Sequence, residues 1–387
     1  MTKKHSAFRI SRPAFTRLLF ALVIIAVYFF GLSIPLLGPD EPRYAEVGRE
    51  MFLRGDWITP TLGGFDWFEK PALLYWLEIL SYKIFGVSEF AARFGFAVFG
   101  LGTIFSLWIL GKTVESPESR VQSPKLEKQI SAFSVQHSSF ANWLALIAAS
   151  SIGLIAFARA ASFDIILTFP MTASLVGFFI YDLTDRRTGA QTQDNNSKIF
   201  SILARHLPLV AFYFFIGAAL IAKGLIGIVF PFTIVAFSYI LSRKMPSKHF
   251  ILSLVWGATL SLLVAAVWYA PMYRANGWKC IDEFFIRQQF ERYISNKYQH
   301  SQPFWFFFLV LPLMTIPWLP FFLASIWNFA KFQISNFKFQ VSKSKISFHS
   351  PLTIHHSPLM KRLSIFAFAW MIVPLVFFSL SGSKLPG

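Results

Sequence analysis

The residues best suited to chemistry lie together in one charged stretch near the start of the chain. Residues 38–60, GPDEPRYAEVGREMFLRGDWITP, mix carboxylates with guanidinium groups directly after a long apolar run. A carboxylate such as Asp40 can act as a general base toward a hydroxyl or an amine. An arginine such as Arg43 can hold a phosphate through paired hydrogen bonds. The pattern therefore suits transfer chemistry on a phosphorylated substrate, provided that other parts of the chain complete the site.

Further charged candidates stand in short stretches that are distant in the sequence. Glu69 and Lys70 belong to GDWITPTLGGFDWFEKPALLYW, and Arg159 and Asp164 belong to ARAASFDIILTF. The others are Lys223 in AKGLIGIVFP, Lys384 in SGSKLPG, and Arg287, Arg292, Tyr293, Lys297 and His300 in segment 274–302. Within that segment Arg292 is the preferred candidate. If these stretches share one face, their cations could stabilise the charge of a departing phosphate.

The composition is that of an integral membrane protein. The chain has 387 residues, of which 55% are hydrophobic and 14% charged. Apolar runs of about 20 residues can cross a bilayer as helices, which satisfy their own backbone hydrogen bonds. The sequence predicts an all-α protein with about nine transmembrane helices, roughly at 18–37, 88–110, 140–158, 164–182, 208–222, 225–241, 250–273, 303–329 and 363–381.

The basic residues predict the orientation of these spans. A cytoplasmic N-terminus and nine crossings place most of the 36 Lys and Arg residues in the cytoplasmic segments 1–17, 111–139, 183–206, 242–249 and 330–362. This is the asymmetry of the positive-inside rule. The formal net charge of +17 therefore reflects membrane topology and not a nucleic-acid partner. The candidate residues then face the extracytoplasmic side of the cell membrane.

The run that contains Lys223 decides this topology. A single helix over residues 210–240 would bury the ammonium at mid-membrane, which costs about 3 kcal/mol or more. Two helices that meet at Lys223-Gly224 place the ammonium at the interface instead. They also keep the later basic loops on the cytoplasmic side. The sequence therefore favours a helical hairpin.

Residues 38–87 are predicted to form amphipathic helices beside the membrane. Tyr44, Val47 and Met51 fall on one face of a helix that starts near Asp40, and this helix is expected to lie on the bilayer surface. Purely structural roles compete with chemistry here. Asp40 could be an N-cap, and the charges that follow it could form helix-surface ion pairs. Arg159 could simply extend toward the interface.

Several of these motifs occur together in a known family. The stretches are DEPRYAEVGREM (40–51), GDWITPTLGGFDWFEKPALLYWL (55–77), RAASFDIILTF (159–169), AKGLIGIVFP (222–231), FERYISNKYQHSQPFWFF (290–307) and SLSGSKLP (379–386). In this order the chain resembles the polytopic GT-C glycosyltransferases, in particular the aminoarabinose (lipid A) transferases and the dolichyl-phosphate-mannose-protein mannosyltransferases. The resemblance covers most of the chain outside the predicted cytoplasmic loops.

The resemblance implies a transferase of the cell envelope. Such an enzyme moves an aminoarabinose- or mannose-like sugar from a polyprenyl-phosphate donor to a lipid or protein acceptor on the extracytoplasmic side, with inversion. By motif, Asp40 matches the proposed base, and Glu41, Glu69 and Asp164 match supporting acidic positions. The matching donor-phosphate positions are Arg43, Tyr44, Lys70, Lys223, Arg292 and Lys384. Residues 1–17 are then a cytoplasmic N-terminus and 18–387 a catalytic transmembrane domain, with outer loops 38–87 and 274–302.

The chain departs from the family pattern at two places. Gln289 stands where aminoarabinose transferases often have a histidine that takes part in metal binding. This argues against a bound divalent metal and leaves no certain cofactor. The chain also ends at Gly387, directly after the KLP motif, where family members continue. We therefore expect a C-terminally truncated domain.

Two other classes of function compete with the transferase. A transporter or flippase of a polyprenyl-linked lipid would need polar residues or discontinuous helices near the membrane midplane, whereas the charges here lie at the ends of the apolar runs. A non-catalytic scaffold would tolerate neutralisation of Asp40, Lys223 and Arg292. The sequence names neither the sugar nor the acceptor, because pocket shape decides both.

Overall fold

The computed structural model describes residues 12–115, 140–188, 198–291, 302–341 and 358–381. The first part of the chain contains α1 (Arg12–Phe29), α2 (Asp40–Arg54), β1 (Thr61–Leu62), β2 (Phe65–Asp66), α3 (Leu73–Phe85), α4 (Glu89–Glu115), α5 (Phe140–Ser150) and α6 (Ile152–Ala158). The rest contains α7 (Phe163–Thr188), α8 (Lys198–Lys223), α9 (Ile226–Ser242), α10 (Lys248–Asn276), α11 (Trp278–Ile281), a π-helix (Asp282–Glu291), α12 (Phe306–Met314), α13 (Leu319–Val341) and α14 (Pro358–Leu380). Strands β1 and β2 pair antiparallel, with Thr61 opposite Asp66.

The predicted all-α membrane architecture is confirmed, and the helices differ in how far they could span. Within the described ranges, five helices are long and apolar enough to cross a membrane: α4, α7, α8 from His206, α10 and α14. The pair α5 and α6, bent by 62°, makes a sixth if it is one span. The apolar parts of α1 and α9 are shorter, and the predicted span 303–329 is divided between α12 and α13. About nine apolar runs are thus helical, but not all have the length of a separate crossing.

The predicted helical hairpin at Lys223 is present. Helix α8 ends at Lys223, Gly224 takes the left-handed φ of +74°, and α9 begins at Ile226. Gly227 lies against the backbone of Ala219, where an added Cβ would come within 2.4 Å of a carbonyl carbon. In a continuous helix, residues eight positions apart would be about 12 Å apart along the axis. The chain therefore reverses, and Lys223 stands at the tip of the turn.

Two large buried clusters account for most of the core of the described helix bundle. We call the end at which α7 begins and α8 ends the upper end, and the other the lower end. The upper cluster joins α2 and α3 to the bundle through residues that include Tyr44, Met51, Tyr75 and Phe163. The lower cluster joins α4, α7, α8, α9, α10 and α14 and is rich in phenylalanine. Small residues permit close helix contacts, as expected in membranes. The upper cluster supports the loops that carry the candidate residues.

The amphipathic helix α2 packs on protein, which corrects the prediction that its apolar face lies on the bilayer surface. Tyr44, Val47 and Met51 are 7%, 0% and 0% exposed and belong to the upper cluster. Gly48 lies on the same helix, and a Cβ at this position would overlap the carboxyl group of Glu78 on α3. The lack of a side chain at residue 48 thus lets the two helices approach closely. The face is covered by α3 and the bundle, so α2 is held in one orientation.

Candidate functional site

Six charged residues predicted from separate stretches meet at the upper end of the bundle. They lie at the start of α2, just before α3, at the start of α7 and at the end of α8, and we call them the candidate site. Its members are Asp40, Arg43, Glu69, Lys70, Asp164 and Lys223. The described part of the site is balanced in formal charge, with three carboxylates and three cations.

The first half of the candidate site is a chain of ion pairs from one segment of sequence. Arg43 lies 3.3 Å from an Asp40 carboxylate oxygen and 3.7 Å from one of Glu69. Glu69 is in turn 3.4 Å from the Lys70 ammonium. The guanidinium of Arg43 also lies 5.8 Å from the ring centre of Trp67, within cation–π distance. Arg43 is thus fixed between two carboxylates and an aromatic face.

The second half of the candidate site joins two helix ends. The ammonium of Lys223 pairs with the Asp164 carboxylate. Ser162 accepts a hydrogen bond from the Asp164 backbone N–H at 3.2 Å, and its hydroxyl lies 3.4 Å from the Asp164 side chain. These contacts hold the carboxylate at the first turn of α7, where a helix dipole favours negative charge.

Phe163 connects the two halves. The Lys70 ammonium lies 5.7 Å from the centre of the Phe163 ring. The ring of Tyr44 meets the same ring edge-on, with centroids 4.7 Å apart. Since Phe163 immediately precedes Asp164, the aromatic contacts place the first half of the site next to the second. The predicted residue Tyr44 supports the site through this contact.

The candidate site is open enough to receive a ligand. The side chains of Asp40, Asp164 and Lys223 are 50%, 33% and 22% exposed, and those of Glu69 and Lys70 about 15%. Groups in this range can meet a substrate, yet the surrounding protein reduces the dielectric and strengthens their electrostatic effects. A phosphate could bind to the ammonium groups of Lys70 and Lys223 while these groups also remain paired with Glu69 and Asp164.

Glu41, predicted as a supporting acid, is buried and holds the loops together. Its carboxylate accepts hydrogen bonds from Arg93 at 2.6 and 3.2 Å, from Leu37 N–H at 2.6 Å and from Ala161 N–H at 2.7 Å. Burial alone would raise the pKa of Glu41, but the Arg93 and backbone hydrogen bonds outweigh it and lower that pKa below its usual value. The residue is thus ionised and fully engaged, and it acts by positioning Asp40 and the segment before Asp164.

Sequence reasoning missed Arg93, the partner of Glu41. Arg93 is 1% exposed and also donates to the backbone carbonyls of Leu32, Ile34 and Pro35. The signal that could have revealed it is an arginine near the start of an apolar span, because a buried cation requires a carboxylate partner. The sequence alone does not distinguish Arg93 from other charged residues near the ends of the predicted spans.

The alternative roles weighed from sequence have mixed outcomes. Asp40 is not an N-cap: Pro39 occupies that position, and no side chain caps the helix. Glu46 and Arg49 do form a helix-surface pair, and Glu50 instead binds Thr61 and Gly63 of the hairpin. Arg159 donates a hydrogen bond to the Phe30 carbonyl at 2.6 Å. It therefore ties the end of α1 to the segment before α7.

Two predicted phosphate ligands, Arg292 and Lys384, lie outside the described residues. The neighbouring Arg287 is on the π-helix and pairs with Asp282 at 3.2 Å. Among the residues that the structure describes, no group of three or more His, Cys, Asp or Glu side chains could hold a metal ion. The described cations of the site are therefore Arg43, Lys70 and Lys223.

The chain is similar to curated proteins named undecaprenyl phosphate-α-4-amino-4-deoxy-L-arabinose arabinosyl transferase. It is 27% identical to that of Aeromonas hydrophila over 375 residues, which cover 94% of this chain and 56% of the relative. It is 28% identical to that of Photorhabdus laumondii over 372 residues, 95% of this chain and 55% of the relative. The chain thus spans little more than half the length of these relatives. No protein-family model matches the chain.

Solved structures of ArnT from Cupriavidus metallidurans share the fold. The crystal structure bound to undecaprenyl phosphate superimposes with a TM-score of 0.70 at 24% sequence identity. The match covers 97% of this chain and 57% of that chain. The apo structure gives a TM-score of 0.71 over the same shares. These likenesses confirm the GT-C-like membrane fold that the sequence motifs predicted.

Proposed function

We propose that this chain is the transmembrane part of a glycosyltransferase that moves a sugar from a polyprenyl-phosphate donor to a lipid or protein acceptor. The observation that carries the proposal is the candidate site itself. Three acids and three cations from four distant stretches meet at one end of a fold shared with a protein that binds undecaprenyl phosphate. Polar residues at the end of a bundle suit a donor whose phosphate lies at head-group depth.

The charges supply the chemistry of an inverting transfer. Asp40 accepts the proton of the acceptor hydroxyl or amine, whose oxygen or nitrogen forms a bond to the anomeric carbon of the sugar. The bond from that carbon to the phosphate oxygen breaks on the opposite face, and its electron pair leaves with the polyprenyl phosphate. Arg43, Lys70 and Lys223 stabilise the charge that accumulates there. Arg292 and Lys384 are proposed to assist them.

The names of the similar proteins make an aminoarabinose-like sugar the first donor to test, with a mannose-like sugar next. By the same resemblance lipid A is the first acceptor. The transporter reading gains no support, because the described charges of the site lie at helix ends.

The site is proposed to face the extracytoplasmic side, with the N-terminus in the cytoplasm. An impermeant thiol reagent on intact cells should then label a Glu46→Cys variant in a Cys280→Ser background; labelling only after lysis would reverse the orientation.

The test is donor turnover by the whole protein in detergent or nanodiscs. We expect undecaprenyl-phosphate aminoarabinose, with lipid A present, to yield free undecaprenyl phosphate that mass spectrometry detects. Asp40→Asn should slow this release about 100-fold or more, because a positioned general base contributes on that order. Glu46→Gln is the matched control, since Glu46 lies on the same helix and, within the described ranges, its one ion pair is with the exposed Arg49.

Each result bears on a different part of the proposal. Full activity of Asp40→Asn refutes the assignment of the base. Failure of every polyprenyl-phosphate sugar in a panel to release its carrier refutes the transferase class. Equal losses in Asp40→Asn and Glu46→Gln would show that the helix, and not the Asp40 carboxylate, is what matters.

A further inference from the structure

A second cluster of charged residues lies at the lower end of the bundle, far from the candidate site. It surrounds a cleft between α7, α9 and α14 with about 370 Å³ of empty space, the solvent at its mouth included. Asp182 of the cleft and Asp164 of the site lie 18 residues apart on α7, which is roughly 27 Å of helix. That length is close to the hydrocarbon thickness of a bilayer, so the cleft lies at the opposite membrane interface.

The cleft combines basic, hydroxyl and aromatic side chains. Its charged lining is Asp182, Arg186, Lys244 and Arg362, with the hydroxyl groups of Ser238, Tyr239 and Ser242 and the rings of Phe178, Phe179 and Phe366. The three cations come from three different segments of the chain. The phenylalanines form an apolar wall beside them.

Asp182, the one carboxylate in the described lining of the cleft, is already engaged. Asp182 accepts two hydrogen bonds from Arg186, at 2.9 and 3.1 Å, and one from the Tyr239 hydroxyl at 3.3 Å. Within the described ranges, no carboxylate lies within 4.0 Å of the charged nitrogens of Lys244 or Arg362. Asp185 and Lys361 stand nearby, have contacts of their own, and cancel in formal charge. The described lining of the cleft therefore carries two positive charges in excess.

These cations disfavour one another. Partial burial lowers the pKa of the Lys244 ammonium below its ordinary value, and the Arg362 and Arg186 charges lower it further. An anion between these side chains would relieve the repulsion. The Ser242 hydroxyl of the lining could donate to its oxygens, and the phenylalanine wall could contact a hydrocarbon chain.

We propose that the lower cleft binds the phosphate of an anionic phospholipid head group. Basic pockets between membrane helices at an interface suit such head groups. Arg186 and Arg362 provide planar donors for phosphate oxygens, and Lys244 adds a flexible charge at the mouth. The inference is independent of the transferase proposal, because it concerns neither the candidate site nor its chemistry.

The test compares lipid binding by the wild type and by charge variants. The whole protein is purified in detergent, and its apparent Kd for phosphatidylglycerol is measured by native mass spectrometry, with phosphatidylcholine as the zwitterionic reference. We expect selective binding of phosphatidylglycerol, and about a 30-fold weaker Kd in Lys244→Gln/Arg362→Gln, since each basic residue near an anionic surface contributes about fivefold.

Lys112→Gln is the control for a general loss of charge. Lys112 also lies toward the lower end, at the end of α4, but it is paired with Glu115 at 3.1 Å. We expect its Kd to match the wild type, whereas the single variant Lys244→Gln, on an exposed loop residue, should already weaken binding several-fold. This single variant keeps the test valid if the double variant does not fold.

The remaining outcomes overturn the proposal. Phosphatidylglycerol binding that is unchanged in both cleft variants places the lipid elsewhere. Equal loss in Lys112→Gln indicates a diffuse charge effect. Protection against heat by inorganic phosphate, abolished in Lys244→Gln but without selective phosphatidylglycerol binding, would identify a site for soluble phosphate instead of a lipid site.

Discussion

Two of the ion pairs at the upper end, Glu41–Arg93 and Asp164–Lys223, differ in how completely they are enclosed. In the Glu41–Arg93 pair the side chains are 9% and 1% exposed, and the backbone meets both charged groups through N–H and carbonyl contacts. In the Asp164–Lys223 pair they are 33% and 22% exposed. Glu41 of the first pair is next to Asp40 in the sequence, and the second pair belongs to the candidate site itself. The difference separates a pair that holds the loops in place from a pair that can exchange its partner for a ligand.

Chain position explains the difference between these pairs. Arg93 lies in the first turns of α4, beneath the segment that follows α1, so its guanidinium is surrounded by carbonyl groups. Lys223 lies at the tip of a hairpin, where the chain turns and leaves one side open. Burial makes removal of one partner costly because it leaves an unpaired charge. Partial exposure lets water replace a missing partner.

The largest expected effect is the loss of stability in Arg93→Met. This change leaves the buried Glu41 carboxylate without its counter-charge, which should lower the free energy of unfolding by about 3–5 kcal/mol. Thermal unfolding in detergent, followed by intrinsic fluorescence, measures it. Arg93→Met/Glu41→Gln should recover part of the loss because no charge remains buried. If Arg93→Met melts like the wild type, the pair is not what holds the loops.

The next effect is a loss of transfer in Lys223→Met with the fold preserved. In the proposed transferase, removal of a preorganised charge beside the leaving phosphate should slow turnover about 100-fold or more, while the unfolding free energy changes by less than about 1 kcal/mol. The assay is release of polyprenyl phosphate. Lys83→Met is the control, as Lys83 lies over the Trp57 ring, 4.6 Å from its centre, outside the site. An active Lys223→Met protein would remove the lysine from the mechanism.

The smallest expected effect concerns Glu78, a buried carboxyl group without a counter-charge. Glu78 is 0% exposed, and among the described residues neither of its oxygens meets a hydrogen-bond donor. Burial therefore raises the pKa of Glu78 well above its ordinary value, and the folded protein holds it protonated. The free energy of unfolding is therefore unaffected by Glu78 at pH values below the ordinary pKa near 4.5. Above that pH the unfolded state releases the proton and the folded state does not, so the free energy of unfolding falls by up to about 1.4 kcal/mol per pH unit.

Glu78→Gln keeps the shape of the side chain and removes its titration. We therefore expect this variant to be more stable than the wild type at pH 8 and to lose that advantage toward pH 5. Melting temperatures of the two proteins at several pH values measure the difference. Parallel pH profiles would show that Glu78 is ionised, or reached by water, in the folded state.

The sequence predicted the candidate site better than the contacts that support it. The hairpin at Lys223 followed from the cost of a lysine in hydrocarbon, and it brings Lys223 to Asp164 as expected. The Glu41–Arg93 pair could not be predicted, because its members are 52 positions apart and nothing local distinguishes Arg93 from any charge at a span end. Pairing over such a distance depends on how the helices pack.

Two differences in the fold have the same cause. The periodicity of α2 identified its apolar face, yet such a face can pack against a bilayer or against another helix. The close approach of Gly48 to Glu78 on α3 is one of the contacts that favour the second arrangement. Apolar length likewise predicted helices but not their breaks, such as the 62° bend after Ser150. Patterns within one element determine what that element is, whereas its neighbours determine what it contacts.

The double attachment of Glu41 limits how the upper end can open. One carboxylate binds the backbone ahead of α2 and the backbone ahead of α7, so these two segments are tied together through a single side chain. In the proposed transferase, admitting a donor lipid by separating them would break these hydrogen bonds. Movement of the α8–α9 turn would leave them intact, and the Lys223 ammonium would travel with that motion.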